Sequence, residues 1–418
     1  MIHRYMCILC GKSIIPRDVE THKKSHEEGQ HYGIMWPCCV REETKQPTDT
    51  YPIYDSPILA EKIGVRKVYL KNEGANPSGS MKDYLVRKAI HNGAREGLNT
   101  FTVVSSGNHA VSLAKFTNSV GFKSIVFVPA SSSKLNFLSS FSSNLVVGID
   151  NTIFEDVYVL ANKIQLDGVY NANVSNETLL TGFKVVADRI SLLNPLPTHV
   201  LSGVGNGSYL AGISWGLERL GVKKIKIIPV GMLGAFPTKT AFELDKFIHD
   251  YGYFGVPESW IDAAEGSIAI ASYAMPQLMH GIKISNGFPL GELTNKDLAQ
   301  AYDVLLTDKK IIDCGAIPEP TGIMGLAAAI KHYHRFSRND ILFISFTGHG
   351  AKDMDGIAKL VPHSFSAIKS AIEKTRPDLL TIEGQKNPDN ILIVNKDIDP
   401  KKLNRLIQKK LKFQGEKK

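Results

Sequence analysis

The chain has 418 residues, of which 43% are hydrophobic and 22% charged. A chain of this length can bury a large hydrophobic core and needs neither disulfides nor bound metal for stability. The net charge is +8, and 13 basic against 7 acidic side chains in residues 360–418 supply +6 of it. Neither a run of 18 apolar residues nor a signal-peptide core occurs, so we expect a soluble, intracellular protein. We expect a cytoplasmic protein of two domains, with a homodimer as the commonest assembly for such chains.

Residues 1–45 have the pattern of a small Cys/His module. A Cys-x2-Cys pair and a His-x3-His pair are separated by 11 residues, where a two-Cys two-His zinc finger usually has 12. The predicted zinc ligands are Cys7, Cys10, His22 and His26. Two alternatives stay open: a zinc ribbon that uses Cys38 or Cys39 in place of the histidines, and free thiols.

The charge distribution argues against a nucleic-acid partner. The module at 1–45 is nearly balanced in charge, and a single finger offers few phosphate contacts. The basic tail that ends in Lys417 and Lys418 is of a kind that is usually solvated. We therefore expect neither a nucleic-acid partner nor a membrane partner.

Short apolar runs alternate with amphipathic stretches from about residue 50 to 360, which is typical of parallel sheets covered by helices. Several of the apolar runs end in a glycine-containing loop, and such loops bind ligands at the carboxyl edge of parallel sheets. The predicted strands are Val68–Leu70, Phe101–Val104, Ser124–Val128, Thr198–Leu201, Ile225–Val230 and Ile341–Phe346.

The first chemical motif is Asn-Pro-Ser-Gly-Ser-Met-Lys-Asp, residues 76–83, between a predicted strand and helix-forming sequence. Lys82 should lie at a helix start, where the positive end of the helix favours a neutral, nucleophilic amine that can attack an aldehyde. On this motif alone, a solvated surface lysine is the competing interpretation.

The second motif, Ser105-Ser106-Gly107-Asn108-His109, joins the strand at 101–104 to a predicted helix. Amides and hydroxyls at a helix start can bind a carboxylate or phosphate, and Asn108 can bond a phenolic oxygen. The third motif, Ser202-Gly203-Val204-Gly205-Asn206-Gly207-Ser208, also precedes a helix, and its spacing fits one phosphate better than a pyrophosphate. A capped turn and a ligand-free glycine turn are the respective alternatives.

The fourth motif, Thr347-Gly348-His349-Gly350-Ala351-Lys352-Asp353, follows an apolar strand, and its threonine hydroxyl can meet a ring nitrogen. Alone, it is compatible with an ordinary turn. Together the four motifs supply a Schiff-base lysine, a phenolic-oxygen partner, a phosphate loop and a hydroxyl for a pyridine nitrogen. That combination predicts pyridoxal phosphate as cofactor.

Residues 361–418 carry no chemical motif. They contain a helix candidate opened by Ser364, a strand candidate Ile391–Val394 and a helix from Asp399 to about Lys412. This basic C-terminal appendage can pack on the body, regulate it or pair subunits, and all three roles stay open.

In their order and their residues, the motifs resemble those of the fold-type-two pyridoxal phosphate enzymes, and those of threonine synthases most closely. The resemblance rests on residues 76–83, 105–108, 203–207, 347–353 and Glu319-Pro320-Thr321-Gly322. It implies that Lys82 is the catalytic, cofactor-bearing lysine and that Asn108 contacts the cofactor hydroxyl. It further implies phosphate binding by Gly203, Val204, Gly205, Asn206 and Gly207, a Thr347 contact to the ring nitrogen, and carboxylate binding by Ser80, Ser105, Ser106 and Gly107.

The resemblance also implies an architecture like that of the tryptophan synthase β subunit, α/β with two domains of parallel-type sheets flanked by helices. A large cofactor domain would span 46–85 and 190–360, a small mobile domain 86–189, and the cofactor would lie in the interdomain cleft.

Two residues depart from the threonine synthase pattern. Tyr84 stands where Arg usually follows Lys-Asp, which weakens the case for a phosphorylated substrate unless Arg87 substitutes for it. His109 stands where threonine synthases favour a small residue and serine/threonine dehydratases often have histidine.

The leading hypothesis is a lyase of the threonine synthase type, eliminating phosphate from O-phosphohomoserine and adding water to give threonine. The alternatives are β-replacement on O-phosphoserine, as in cysteate synthases, and dehydration of serine or threonine. From another class, a binding or regulatory protein on a retained enzyme scaffold is also open.

Overall fold

The computed structural model describes residues 4–7, 13–14, 39–42, 52–105, 107–132, 135–152, 154–164, 166–174, 176–244, 264, 274–380 and 387–416. The strands are β1 Arg4–Cys7, β2 Ser13–Ile14, β3 Cys39–Glu42, β4 Ile53–Asp55, β5 Lys67–Asn72, β6 Thr100–Val104, β7 Lys123–Pro129, β8 Asn144–Asp150, β9 Val169–Asn171, β10 His199–Gly203, β11 Lys226–Met232, β12 Leu290–Leu293, β13 Ile341–Phe346 and β14 Ile391–Asn395.

The helices flank these strands along the chain. They are α1 Pro57–Ile63, α2 Lys82–Arg95, α3 Asn108–Ser119, α4 Leu135–Ser139, α5 Phe154–Lys163, α6 Lys184–Ser191, α7 Ser208–Arg219, α8 Pro237–Leu244, α9 Met275–Ile284, α10 Asn295–Leu305, α11 Lys309–Asp313, α12 Met324–Lys331, α13 Met354–Leu360, α14 Phe365–Thr375, α15 Pro377–Leu380 and α16 Pro400–Glu416.

The described residues divide into two compact units. Unit 1 takes its residues from 1–50, 82–179 and 381–418, and unit 2 from 51–81 and 180–380. Residues 361–380 thus belong to unit 2 and the last strand and helix to unit 1. The predicted limits 46–85 with 190–360, 86–189 and 361–418 stay a prediction.

Unit 1 is built on a five-stranded sheet in the order β14-β8-β7-β6-β9, with every neighbouring pair parallel. Its strands β7 and β8 are apolar through most of their length and buried, as expected of parallel strands covered by helices. β14 and α16 belong to the same core, because Val394, Leu403 and Ile407 pack with Val147 of β8. A separate three-stranded antiparallel sheet, β2-β1-β3, joins the described N-terminal segments.

Unit 2 is built on a six-stranded sheet in the order β12-β11-β10-β13-β5-β4, parallel except for the edge strand β4. Strand β13, predicted as Ile341–Phe346, is buried at all six positions. Its neighbours β10 and β5 place three of the predicted motifs after adjacent parallel strands, at the same edge of the sheet.

The α/β class and the parallel sheets flanked by helices, predicted from the sequence, are confirmed. In the described part of the chain, no helix combines the length and apolar character that are needed to cross a bilayer.

Candidate active site

Lys82 is the first residue of α2 in unit 1, as the strand-turn-helix pattern predicts. Its side chain keeps some access to solvent while protein atoms surround it closely, and this desolvation lowers the pKa of its amine to about 8. Since an ordinary lysine has a pKa near 10.5, a much larger fraction of Lys82 is neutral at physiological pH. A neutral amine is the nucleophilic form of lysine.

His109, in the first turn of α3, is a second unusual group in unit 1. It is 4% exposed, and burial together with the positive charge of Lys82 moves its pKa well below 6.5. Its imidazole is therefore neutral at physiological pH, and within the described part of the chain its Nε2 is buried without a hydrogen-bond partner. A buried ring nitrogen of this kind is a place where a bound polar group fits.

The start of α3 has the properties expected of an anion site. Asn108 begins the helix and Gly107 is its N-cap, without a side-chain cap. The Gly107 amide donates to the Ser105 hydroxyl at 3.2 Å, and a Cβ added at Gly107 would meet nothing within 4 Å. Amides at a helix start beside open space can receive a carboxylate. Ser106 lies outside the described residues.

In unit 2, the Thr347–Gly350 segment runs between two other motif segments. Met81 N–H donates to the Thr347 carbonyl at 2.9 Å, and Ser80 pairs with Gly348. On the other side, Glu319 N–H donates to the Gly348 carbonyl at 2.9 Å. Backbone hydrogen bonds therefore bring Ser80, Thr347 and Glu319 together at the carboxyl ends of β5 and β13.

The loop from Gly203 to Gly207 follows β10 and ends at α7, whose N-cap is Gly207 with φ of 79° and no side-chain cap. A left-handed φ of this size favours glycine, and α7 is a helix of 12 residues, so its positive end faces the loop. At Gly203 the reason for glycine is different: an added Cβ would lie 3.0 Å from the Thr321 carbonyl oxygen. Gly203 thus permits close packing against the Glu319–Gly322 segment.

Sequence reasoning missed a buried polar cluster in unit 2. Glu73 is fully buried in the turn after β5, and it contacts Lys71, Asn76 and Tyr209. It also missed Arg376, whose guanidinium donates to the backbone carbonyls of 74, 76 and 77. The sequence pattern does not indicate that Lys71 and Glu73 are buried, because charged residues at the end of a strand are usually exposed to solvent.

Each unit, taken by itself, contains residues that fit a part of pyridoxal phosphate. Unit 1 supplies a lysine of lowered pKa and the unpartnered Nε2 of His109, both of which suit a bound aldehyde cofactor and its substrate. Unit 2 supplies a glycine loop at the start of a long helix, which suits a phosphate. The buried hydroxyl residue Thr347, 5% exposed, directly follows the neighbouring strand β13 of the same sheet.

The predicted zinc ligands Cys10, His22 and His26 lie outside the described residues, and only the backbone of Cys7 is described. In the ranges that the structure does describe, no group of three or more His, Cys, Asp or Glu side chains could hold a metal ion. Zinc at the N-terminal module stays a prediction that nothing in the structure supports.

Comparisons with known proteins find relatives among the threonine synthases and the serine/threonine dehydratases. The chain is 26% identical over 316 residues to a threonine synthase of Methanocaldococcus jannaschii, covering 73% of this chain and 75% of that one. It is 24% identical over 201 residues to the L-serine dehydratase/L-threonine deaminase of Homo sapiens, covering 47% of this chain and 61% of that one.

Among solved structures, a fungal L-serine ammonia-lyase from Rhizomucor miehei aligns with a TM-score of 0.61 at 17% identity, covering 75% of this chain and 98% of that one. This likeness shows the fold. A sequence profile described as "Pyridoxal-phosphate dependent enzyme" matches residues 45–348, which is well over half of the chain. With Lys82, the glycine loop and Thr347 all inside the matched range, the chain belongs to the family of pyridoxal-phosphate dependent enzymes.

Proposed function

We propose that the protein is a lyase of the threonine synthase type, which eliminates phosphate from O-phosphohomoserine and adds water to give threonine. The observation that carries the proposal is the Lys82 amine at the start of α2, whose pKa burial lowers to about 8. Its motif is one of those that together resemble the threonine synthases, and a threonine synthase aligns over 73% of the chain.

We assign the cofactor contacts as follows. Lys82 and Asn108 in unit 1 bind the aldehyde and the phenolic hydroxyl, respectively. Thr347 in unit 2 meets the ring nitrogen, and the loop from Gly203 to Gly207 binds the phosphate at the start of α7. Ser80 and the Ser105–Gly107 segment receive the substrate carboxylate.

Pyridoxal phosphate, when bound, supplies an electron sink that stabilises negative charge on the carbons of the attached amino acid. Lys82 is the group that removes the proton from the α-carbon, since its lowered pKa lets it act as a base near neutral pH. At the ring nitrogen, Thr347 offers a neutral hydroxyl, whereas a carboxylate there would make the cofactor a stronger electron sink. The weaker electron sink suits elimination and replacement better than transamination.

His109 is the proposed contact to the departing group or to the entering water. Its imidazole is neutral and buried, and its Nε2 has no partner in the described residues. A neutral imidazole can donate or accept one hydrogen bond without placing a second positive charge beside Lys82.

A second candidate, dehydration of serine or threonine, is favoured by Tyr84. This residue stands where the threonine synthase pattern has Arg. It is 4% exposed and lies among the buried residues of α2. A buried tyrosine offers no charge to a substrate phosphate, which favours a substrate with a plain hydroxyl. The human serine dehydratase/threonine deaminase relative supports the same alternative.

The test is an assay of the purified protein, loaded with pyridoxal phosphate, against O-phosphohomoserine, O-phosphoserine, serine and threonine. We expect equal amounts of phosphate and threonine from O-phosphohomoserine, and none from a Lys82→Ala variant. Release of 2-oxo acid from serine or threonine, without phosphate from either phosphorylated donor, would establish the dehydratase. Phosphate from O-phosphoserine alone, released without 2-oxo acid and only when a nucleophile such as sulfite is added, would establish β-replacement chemistry.

A further inference from the structure

Glu73 carries a charged side chain that is completely buried in unit 2. Its Oε1 accepts a hydrogen bond from the Tyr209 hydroxyl at 2.7 Å, and its Oε2 accepts one from Asn76 Nδ2 at 2.7 Å. The Lys71 amine lies 3.4 Å from the same Oε2. A buried carboxylate needs such donors, since each lost donor leaves charge uncompensated in a medium of low polarity.

The side chains linked to Glu73, directly or through Tyr209, lie in or next to the three proposed cofactor segments of unit 2. Asn76 opens the segment that leads to Ser80 and Lys82. Tyr209 lies in the first turn of α7, directly after the phosphate loop, and its hydroxyl also lies 3.2 Å from Ser345 Oγ on β13. Ser345 precedes Thr347 by two residues on the strand that ends at the site.

We propose that Glu73 is a positioning residue of the cofactor site, which fixes the phosphate loop, the Ser80 segment and the end of β13 relative to one another. The inference rests on the proposed function, because it takes those three segments as the cofactor contacts. Glu73 itself follows β5 in a buried turn, so it acts through Asn76 and Tyr209 rather than on the cofactor.

The electrostatics of the cluster agree with a fixed arrangement. Burial and the charge of Glu73 raise the pKa of Tyr209 well above 10, so its hydroxyl stays protonated and keeps donating. Burial lowers the pKa of Lys71 to about 8, against the opposing effect of Glu73. Tyr209, Asn76 and Lys71 thus all contact the Glu73 carboxylate.

The test compares the variants Glu73→Gln and Tyr209→Phe with a matched control, Tyr69→Phe. Tyr69 is also a buried tyrosine of unit 2, but its hydroxyl donates to the Pro195 carbonyl at 3.1 Å, away from the cluster. Equilibrium dialysis of each apoprotein would give its affinity for pyridoxal phosphate and for pyridoxal. Urea unfolding of the same apoproteins would give their stability.

We expect Glu73→Gln to weaken binding of pyridoxal phosphate by about tenfold or more, the effect of losing hydrogen bonds to a buried charge. Tyr209→Phe should weaken pyridoxal phosphate more than pyridoxal, because Tyr209 holds the helix whose start binds the phosphate. Tyr69→Phe should bind both compounds as the wild type does, whatever stability it loses. A role in stability alone would lower unfolding free energy in all three variants without this selectivity.

Two results would overturn these ideas separately. The positioning role alone would be excluded if Glu73→Gln and Tyr209→Phe both bound pyridoxal phosphate with wild-type affinity. It would also be excluded if Tyr209→Phe lost equal affinity for pyridoxal phosphate and for pyridoxal. A folded wild-type protein that binds neither compound would sink the proposed function and the positioning role together. Tyr209→Phe removes one hydroxyl and leaves the carboxylate in place, so it tests the role even if Glu73→Gln fails to fold.

Discussion

The hydroxyl of Ser112 donates a hydrogen bond of 2.7 Å to Oδ1 of Asp83, and both side chains are fully buried in unit 1. Asp83 follows Lys82 directly on α2, and Ser112 lies one turn after Asn108 on α3. The two helices that begin with proposed cofactor residues are thus joined by a buried, charge-assisted hydrogen bond.

Ser112→Ala should lower the free energy of unfolding by about 1–3 kcal/mol, because it removes a donor from a buried carboxylate. Urea unfolding of the apoprotein would measure this. Ser119→Ala is the control on the same helix, since Ser119 is exposed and its hydroxyl donates within α3, to the Phe116 carbonyl at 2.8 Å. Equal stability of Ser112→Ala and the wild type would mean that the bond contributes nothing.

Replacing Lys82 by Met should stabilise the apoprotein at pH 7. The folded pKa of about 8 lies below the unfolded value of 10.5, so the unfolded state binds more protons between these values. Stability of the wild type should therefore rise with pH from about 8 to about 10.5, and the Met variant should lose that part of the rise. The gain at pH 7 should stay below the ~3 kcal/mol that the shift corresponds to, because the side chain keeps some solvent access.

The same amine sets the pH dependence of cofactor loading. Since only the neutral amine attacks an aldehyde, attachment of pyridoxal phosphate should accelerate as pH rises toward 8 and level off above it. Borohydride reduction followed by mass spectrometry would time the attachment at each pH. Acceleration that continues to pH 10 would show that the Lys82 pKa is not lowered.

Gly107→Ala should separate substrate binding from folding. An added Cβ at Gly107 meets nothing within 4 Å, so the free energy of unfolding should change by less than about 1 kcal/mol. The methyl group would occupy the open space at the start of α3 where we place the substrate carboxylate, so KM should rise by about tenfold, a loss worth about 1.4 kcal/mol of binding.

Gly212→Ala is the matched control for this experiment. A Cβ there would lie 2.4 Å from the Leu180 carbonyl oxygen, so it should destabilise unit 2 by about 1–3 kcal/mol. An unchanged KM in Gly107→Ala would argue that the carboxylate binds elsewhere.

Arg376→Ala should loosen the segment before Lys82. The Arg376 guanidinium donates to the carbonyls of Gly74, of Asn76 at 3.2 Å and of Pro77 at 3.4 Å, while Asp378 holds it at 2.9 Å. Only the planar guanidinium of arginine, with its several N–H donors, can reach all three carbonyls at once. Arg376→Lys should therefore not restore the wild-type stability of this segment.

Hydrogen exchange of the apoprotein, followed by mass spectrometry of peptides covering 72–80, would measure the effect of Arg376. We expect exchange about tenfold faster in Arg376→Ala, corresponding to ~1.4 kcal/mol of local stability. Arg338→Ala, at an exposed arginine of the same unit, should leave this exchange unchanged. Similar exchange in both variants would remove Arg376 from the support of this segment.

Much of the fold could be predicted from local pattern. The strand β13 is as predicted, and β5, β6, β7, β10 and β11 contain or overlap their predicted cores, because buried parallel strands are short apolar runs between turns. Ser364 and Asp399 precede α14 and α16, as their capping patterns indicated. Local pattern also placed Lys82 at a helix start.

The remaining features depend on contacts between distant residues. Glu73 and Tyr209 are 136 positions apart, and neither has a neighbour in sequence that signals a shared hydrogen bond. Arg376 lies in a region that had no chemical motif, yet it contacts carbonyls about 300 positions earlier. Hydrophobic periodicity indicates which side of a helix or strand is buried, but it does not indicate which polar groups contact one another on that side.

Strand β14 lies beside β8 at the edge of the unit 1 sheet, and residues 180–380, the larger segment of unit 2, lie between the two strands in sequence. During synthesis on the ribosome, β8 emerges long before its partner, so its outer edge stays uncovered until residues 391–395 leave the exit tunnel. Translation that stops after residue 380 would leave a mostly folded chain with a bare, aggregation-prone strand. Residues 391–395 thus protect the edge of a sheet whose strand β8 is synthesised more than 200 codons earlier.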